Sequence, residues 1–289
     1  MPAEIITWYE PDGTPHLLSD YPYFGMLRGR KGAFMPPVRH VQDRVPMQNG
    51  ARFRDSFYDP RVLDMPFHME DTDEETLRDH LRNLMGWFNV SDGDGQLEVA
   101  FNGTTRRLNC RFLDGLGLDE SMENNGIYWQ DFILTLLAAD PFWYNAAATE
   151  VEFSGGAGGG LFFPILPMTL ITGAIFGTNT VNNPGDVEAW PIWTIEGPTS
   201  GGIELQNVTT GRTLILSSLV LTTGQTLTID TRPLYKTIKR EDGSNQMGNG
   251  FSGSLWPMAK GDNEITTSVA GFTVDTRVTL SFYPGYLAP

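Results

Sequence analysis

A single cysteine, Cys110, stands in the 289 residues, so no internal disulfide can form and stability must come from packing and assembly. Within an apolar stretch that lone thiol reads as a small core hydrophobe, not a nucleophile. The four histidines, His16, His40, His68 and His80, lie far apart, and none has a second His or Cys at a metal-ligand spacing, which argues against a metal site. Basic residues are scarce: 20 Lys+Arg against 35 Asp+Glu give a formal charge of -15. Such a balance does not suit sequence-independent nucleic-acid binding, which needs cations to replace the counterions at phosphates. No window reaches the ~18 consecutive apolar residues of a membrane span, and Met1-Pro2-Ala3-Glu4 does not begin a basic stretch followed by an apolar run. A soluble protein made in a cytoplasm, without membrane insertion, is expected.

The patterns of catalysis are missing as well. Gly250-Phe251-Ser252-Gly253-Ser254 departs from G-x-S-x-G at its last position, and the glycines between 155 and 160 match G-x-G-x-x-G in no frame. Asp92-Gly93-Asp94-Gly95 looks like the start of a calcium loop, but Gly103 then stands where a bidentate Glu is required. Carboxylate pairs such as Asp140 and Glu150 have nothing in their spacing to select them. No catalytic, cofactor-binding or metal-binding residue is assigned, no cofactor is expected, and the chain is not read as an enzyme.

What is present is β-rich and divides in two. Hydrophobic residues make up 40% of the chain and aromatics 11%, enough for two cores, and the length suits about two domains. The near-continuous apolar run from Trp129 to Leu137 predicts a core strand covered on both faces. Pro141 should end it, and Phe142, Trp143 and Tyr144 form a cluster too short for an element, expected to pin the exit of the first domain on a neighbouring surface. The glycine-rich stretch from Ser154 to Gly160 then reads as an interdomain hinge. This gives domains at 1–148 and 149–289.

Before the divide, Glu4–Tyr9 predicts a first strand, and Tyr21 to Pro37 an extended arm or loop. Val38 to Val45 and Arg61 to Met69 alternate as half-buried antiparallel strands do, with a turn at Gln48-Asn49-Gly50-Ala51 between them. One helix is predicted from about Asp73 to about Trp87. Thr72 and Glu75 have capping-box spacing, and Leu77, Leu81, Leu84, Met85 and Phe88 form the core stripe. His80 beside that stripe reads as packed or surface. The strongest local signal is a tight hairpin, Gln96–Phe101 and Thr104–Leu113 joined by Asn102-Gly103. After the divide the helical period vanishes. Strands are expected at 150–153, 190–196, 202–207, 212–217, 225–230, 234–240, 263–269 and 276–283, an antiparallel sandwich or jelly roll. Arg28, Arg30, Lys31, Arg39, Arg44, Arg52, Arg54 and Arg61 make a basic stretch with only Asp43, Asp55 and Asp59 among them. It suits either an acidic face of an identical neighbour or a solvated sheet face with scattered arginines.

Asn183-Pro184-Gly185-Asp186-Val187-Glu188-Ala189-Trp190-Pro191-Ile192-Trp193-Thr194-Ile195-Glu196-Gly197-Pro198 resembles the signature segment of siphophage distal tail proteins. Asn207-Val208-Thr209-Thr210-Gly211, Leu227-Thr228-Ile229-Asp230-Thr231, Leu255-Trp256-Pro257-Met258 and Gly261-Asp262-Asn263 resemble later blocks of that family. Ala139 to Tyr144 is similar to the segment closing its N-terminal domain, and the hairpin ending in Arg106-Arg107-Leu108 to its dimension-setting hairpin. The resemblance implies a mainly β protein: an N-terminal α+β belt domain with one helix on antiparallel sheets, and a C-terminal all-β galectin-like sandwich. It also implies a structural virion protein at the tail tip, a homo-hexameric ring assembled in the host cytoplasm that encloses the DNA channel. Its implied neighbours are the tail tube protein, a tail-tip hub, tail-associated lysin or fibre protein, and the tape measure protein. The alternative is a carbohydrate-binding tail adhesin that contacts the host surface, with Trp256 and Tyr235 as candidate sugar platforms. The apolar segment Leu161 to Pro167, within Gly155 to Val181, reads either as an arm docking on another tail protein or as internal strands of the sandwich.

Overall fold

The computed structural model describes residues 4–19, 24–44, 46–47, 49–118, 121, 123–154, 172–248 and 250–289. The chain forms two units, Met1–Ala146 with Tyr286–Pro289, and Ala147–Gly285.

The first unit contains β1 (Ile5–Tyr9), β2 (Pro15–Leu17), β3 (Phe24–Met26), β4 (Val38–Asp43), β5 (Arg52–Tyr58) and β6 (Arg61–Glu70). Helix α1 (Glu74–Trp87) follows, then β7 (Gly95–Phe101), β8 (Thr104–Asp114), β9 (Trp129–Ala138) and β10 (Trp143–Asn145). Antiparallel neighbours run in the order β2-β1-β7-β8-β9-β6-β3, and β10 pairs with the first half of β8. Alternation decides which side is buried. In β6 Leu63, Met65, Phe67 and Met69 point into the core, and in β9 Phe132, Leu134, Leu136 and Ala138 do. The opposite side of β9 is open, with Ile133 more than half exposed, so this strand is covered on one face and not on both. Its apolar outward residues make a one-sided strand look two-sided in sequence.

Helix α1 closes the inner face with Leu77, Leu81 and Leu84. Its N-cap is Asp73, one residue later than the capping box predicted, and the Asp73 carboxylate accepts from the Thr76 amide at 2.9 Å. At the other end the Trp8 indole donates to the Trp87 carbonyl at 2.9 Å, occupying one of the helix's free acceptors. The β7–β8 hairpin has the predicted two-residue turn, with φ of 49° at Asn102 and 81° at Gly103. Both are left-handed, as a primed hairpin turn requires.

Two expectations for this unit change. Phe142 to Tyr144 does not form a mere exit cluster. Trp143 begins β10, is fully buried, and donates its indole N–H to Ala33 at 3.0 Å. The loop 27–33 is not a free arm either, since Leu27 donates to Pro66 and Lys31 bridges Asp64. Gly32 makes that approach possible: a Cβ there would lie 1.9 Å from the Val62 carbonyl oxygen.

The second unit contains β11 (Thr149–Ser154), β12 (Thr172–Ile175), β13 (Gly177–Asn183), β14 (Ile192–Glu196), β15 (Ile203–Asn207) and β16 (Arg212–Leu216). It continues with β17 (Thr226–Asp230), β18 (Thr237–Arg240), β19 (Phe251–Gly253), β20 (Gly261–Val269) and β21 (Arg277–Phe282); β22 (Gly285–Tyr286) pairs with β10. The orders β12-β11-β21-β14-β17-β18 and β13-β20-β15-β16-β19 define two sheets whose inward residues form one core. At its centre Trp193 and Trp256 meet edge to face with centroids 5.6 Å apart. The chain is thus mainly β, with α1 its one α-helix among the described residues.

The glycine-rich stretch expected as a hinge lies, after Ser154, outside the described residues; the two units divide between Ala146 and Ala147, and β11 pairs in parallel with β12 within the second. Leu161 to Pro167 lies outside the described residues. The last four residues, counted by sequence with the C-terminal domain, belong to the first unit.

Candidate assembly surface

Strands β4 and β5 form a two-stranded sheet of their own, with register from Val38↔Tyr58 to Asp43↔Arg52 and a bulge at Val41/Gln42. Every residue in both strands is exposed. The half-buried strand expected at Val38 to Val45 is therefore one arm of an exposed hairpin, whose second strand, β5, the sequence pattern does not mark. Alternation in β4 reflects two exposed sides, because among the described residues no second layer lies against them.

The hairpin's apolar content is out of proportion to its burial. Phe53 is 59% exposed and Phe57 48%, and Val38, Val41 and Tyr58 are also open. An isolated two-stranded hairpin is marginally stable in water at best. This one is braced by ion pairs, Arg39 to Asp59 at 3.1 Å and Arg54 to Asp43 at 2.5 Å, and by the edge contact of Tyr58 with Phe142. Exposed pairs of this kind contribute little. Toward its tip, Arg44 and Arg52 have no ion pair among the described residues, and Met47 is fully exposed.

The rest of the basic stretch is dispersed. Arg30 pairs with Glu4 at 2.9 Å, and Arg61 is completely buried, donating to Ala33 at 2.8 Å, Gly32 at 3.2 Å and Leu287 at 3.0 Å. Burial lowers the Arg61 pKa to about 10, with nearby Asp140 opposing. Nothing in the sequence distinguishes this structural guanidinium from its exposed neighbours.

The histidines occupy separate places. His16 stacks on Trp87 and meets Glu10, His68 meets Asp131, His80 meets Asp71, and His40 bonds Ser56 on the hairpin. No group of three metal-ligating side chains occurs among the described residues. Cys110 is buried in the core, and desolvation pushes its pKa up to about 12. Asp140 accepts from the Tyr144 hydroxyl at 2.8 Å, and Glu150 lies on β11 in the other unit.

The family-like blocks of the second half build structure. Asn183 donates to Val187 and Ala259, Asn207 donates to Asn263, and Asn263 donates to Ala259 and Gly261. All three asparagines are buried, and each satisfies backbone groups at a turn. Trp256 is fully buried with its indole donating to Leu205 at 3.2 Å, which removes it as a sugar platform; Tyr235 is 59% exposed.

Residues 23–114 match the model of the phage tail protein RIFT-related domain. No curated protein sequence matches the chain. Among solved structures, the Dit protein of phage SPP1, described as a paradigm of the hub adsorption apparatus in phages infecting Gram-positive bacteria, matches with a TM-score of 0.71. That match is at 12% identity over 98% of this chain and 99% of the other. A chain of the phage p2 baseplate in its activated conformation matches at a TM-score of 0.54 and 7% identity, over 96% of this chain and 98% of that one. At such identities the likeness is one of fold.

Proposed function

We propose that this chain is a siphophage tail protein and forms the ring hub of the tail tip; residues 23–114 match the phage tail RIFT-related domain, and 98% of the chain matches the fold of the SPP1 Dit protein. In this reading it is a structural and not a catalytic protein. Six copies close a ring that joins the tail tube protein to the tail-tip hub, lysin or fibre proteins. DNA, with the tape measure protein before it, passes through the centre.

The observation that carries the proposal is the β4–β5 hairpin. A closed ring of identical subunits needs two different, complementary patches on each copy. The hairpin supplies one: apolar side chains on both faces, cationic toward its tip, and exposed among the described residues. The formal charge of -15 leaves ample acidic surface for the other. Covering the exposed half of Phe53 and Phe57 with a neighbour would contribute about 1 kcal/mol or more for each side chain, enough for assembly to respond to their loss.

Cryo-electron microscopy of assembled tail tips is the direct test, with sixfold density for this chain expected. Native mass spectrometry of Phe53→Ser/Phe57→Ser should show monomers whose circular dichroism equals that of the parent. A ring of another order, or undiminished assembly of the double variant, would overturn the reading.

A further inference from the structure

Between α1 and the segment that leads into β9, the first unit carries an open apolar groove of about 300 Å³. Leu77 and Leu81, both buried, belong to its lining together with Met85, 41% exposed, and Ile127, 65% exposed. Its volume is at the lower end for a small-molecule site and fits an anchoring side chain from a protein partner. The groove is pre-formed. The Asp71 amide donates to the Tyr128 carbonyl at 2.8 Å, the Gln130 side chain donates to the Asn124 carbonyl at 3.0 Å, and the Gly126 amide donates to the Trp129 carbonyl at 2.9 Å. A Cβ at Gly126 would lie 2.3 Å from the Trp129 indole nitrogen, so this turn needs glycine.

Charge selects the occupant. Glu70, Asp71, Asp73, Glu74, Glu75 and Asp79 cluster about the first turns of α1, and Glu123 is exposed on the facing segment. The cations among them are Arg78, Arg82 and His80, and each is already engaged: Arg78 with Glu74 at 3.0 Å, Arg82 with Asp79 at 3.0 Å, and His80 with Asp71. Glu75 and Glu123 have no ion pair among the described residues. A partner that fits is therefore apolar along the groove and cationic where it meets the start of the helix.

The β4–β5 hairpin has that profile. Phe53 adjoins Arg52 at the start of β5, Arg44 follows the end of β4, and Asp43, the carboxylate nearest the tip, is occupied by Arg54 at 2.5 Å. Among the described residues, none of β4 or β5 lines the groove of its own chain. Resting on the ring reading, and naming the second patch that it requires, we propose that the hairpin of one copy docks on the α1 groove of the next. Phe53 enters beside Leu81, Met85 and Ile127, and Arg44 and Arg52 meet Glu74 and Glu75. The contact is heterologous, as a closed ring needs.

The test is native mass spectrometry of full-length variants over a range of protein concentrations, with circular dichroism to show that each keeps the parent fold. Ile127→Asp, at an exposed position in the apolar part of the groove, should raise the concentration for half-assembly about tenfold or more. Glu75→Arg and Arg52→Glu should each weaken assembly, and the two together in one chain should recover much of the loss, because the exchanged charges again attract across the contact. Phe101→Ala, exposed on the β7–β8 hairpin, should leave assembly unchanged. If the parent forms a ring and Ile127→Asp assembles equally well, or the charge exchange recovers nothing, the groove is not the partner surface and the ring reading stands. A parent that forms no ring would overturn both.

Discussion

Arg61 shows how one side chain organises the first unit. A fully buried guanidinium is costly unless its donors are occupied, and here two nitrogens reach three backbone carbonyls from two distant parts of the chain. Arg61→Met would keep much of the volume and remove the guanidinium donors from Gly32, Ala33 and Leu287, leaving Ala33 its bond from Trp143. A loss of about 2–4 kcal/mol is expected, measured by urea unfolding followed through tryptophan fluorescence. Arg61→Lys should recover only part, because an ammonium cannot match the fork that spans these carbonyls. Cys110 gives a second prediction at this scale. The thiolate is the reactive form, and burial raises this thiol's pKa to about 12, so a disulfide reagent should titrate no cysteine in the native protein and one equivalent after denaturation.

Among the elements, α1 makes a discriminating case. Thr72 and Asp73 are adjacent, both suited to capping, and it is Asp73 that takes the N-cap, with an extended backbone and its carboxylate accepting from the Thr76 amide. Asp73→Ala should lower the thermal midpoint of the first unit, whereas Thr72→Ala should leave it nearly unchanged. The Thr76 backbone hydrogen bond holds the Asp73 pKa below the usual carboxylate value, with the Thr76 hydroxyl adding to it. A depressed folded-state pKa means that the cap's contribution is present above the unfolded value and is lost as the pH falls through the folded one. The midpoint difference between Asp73→Ala and the parent should therefore shrink in acid. The two hairpins differ in another way. β7–β8 is embedded in a sheet and buries alternate residues, but β4–β5 has the same kind of alternation and, among the described residues, no layer to pack on. An apolar-polar pattern specifies two faces; whether either is buried depends on what lies opposite.

For the whole molecule, the chain enters the second unit after Ala146 and returns to the first at Tyr286. The returning tail is held by Arg61 on Leu287 and by Arg106, which donates to Ala288 at 2.5 Å and lies 3.7 Å above the Tyr286 ring. We propose that the units unfold separately and that the tail stabilises only the first. Deleting residues 286–289 should lower one calorimetric transition and leave the other in place, and a fragment of residues 147–285 should unfold cooperatively by itself. A fragment without a transition would refute the independence of the two cores.

Local rules accounted for much of this protein. The Asn102-Gly103 turn, the helix with its Leu77, Leu81 and Leu84 face, and most strands of the second unit were legible because periodicity and turn chemistry act over a few residues. So was the family-like order of motifs, although the buried Asn183, Asn207 and Asn263 that give those motifs their meaning meet only in space. Tertiary structure alone decided what covers what. It buried Arg61 and Trp256, left Phe53, Phe57 and Tyr235 open, and brought residues 286–289 back to the first unit. Burial depends on contacts between residues far apart in the chain, and composition and period carry no record of the element that will lie opposite.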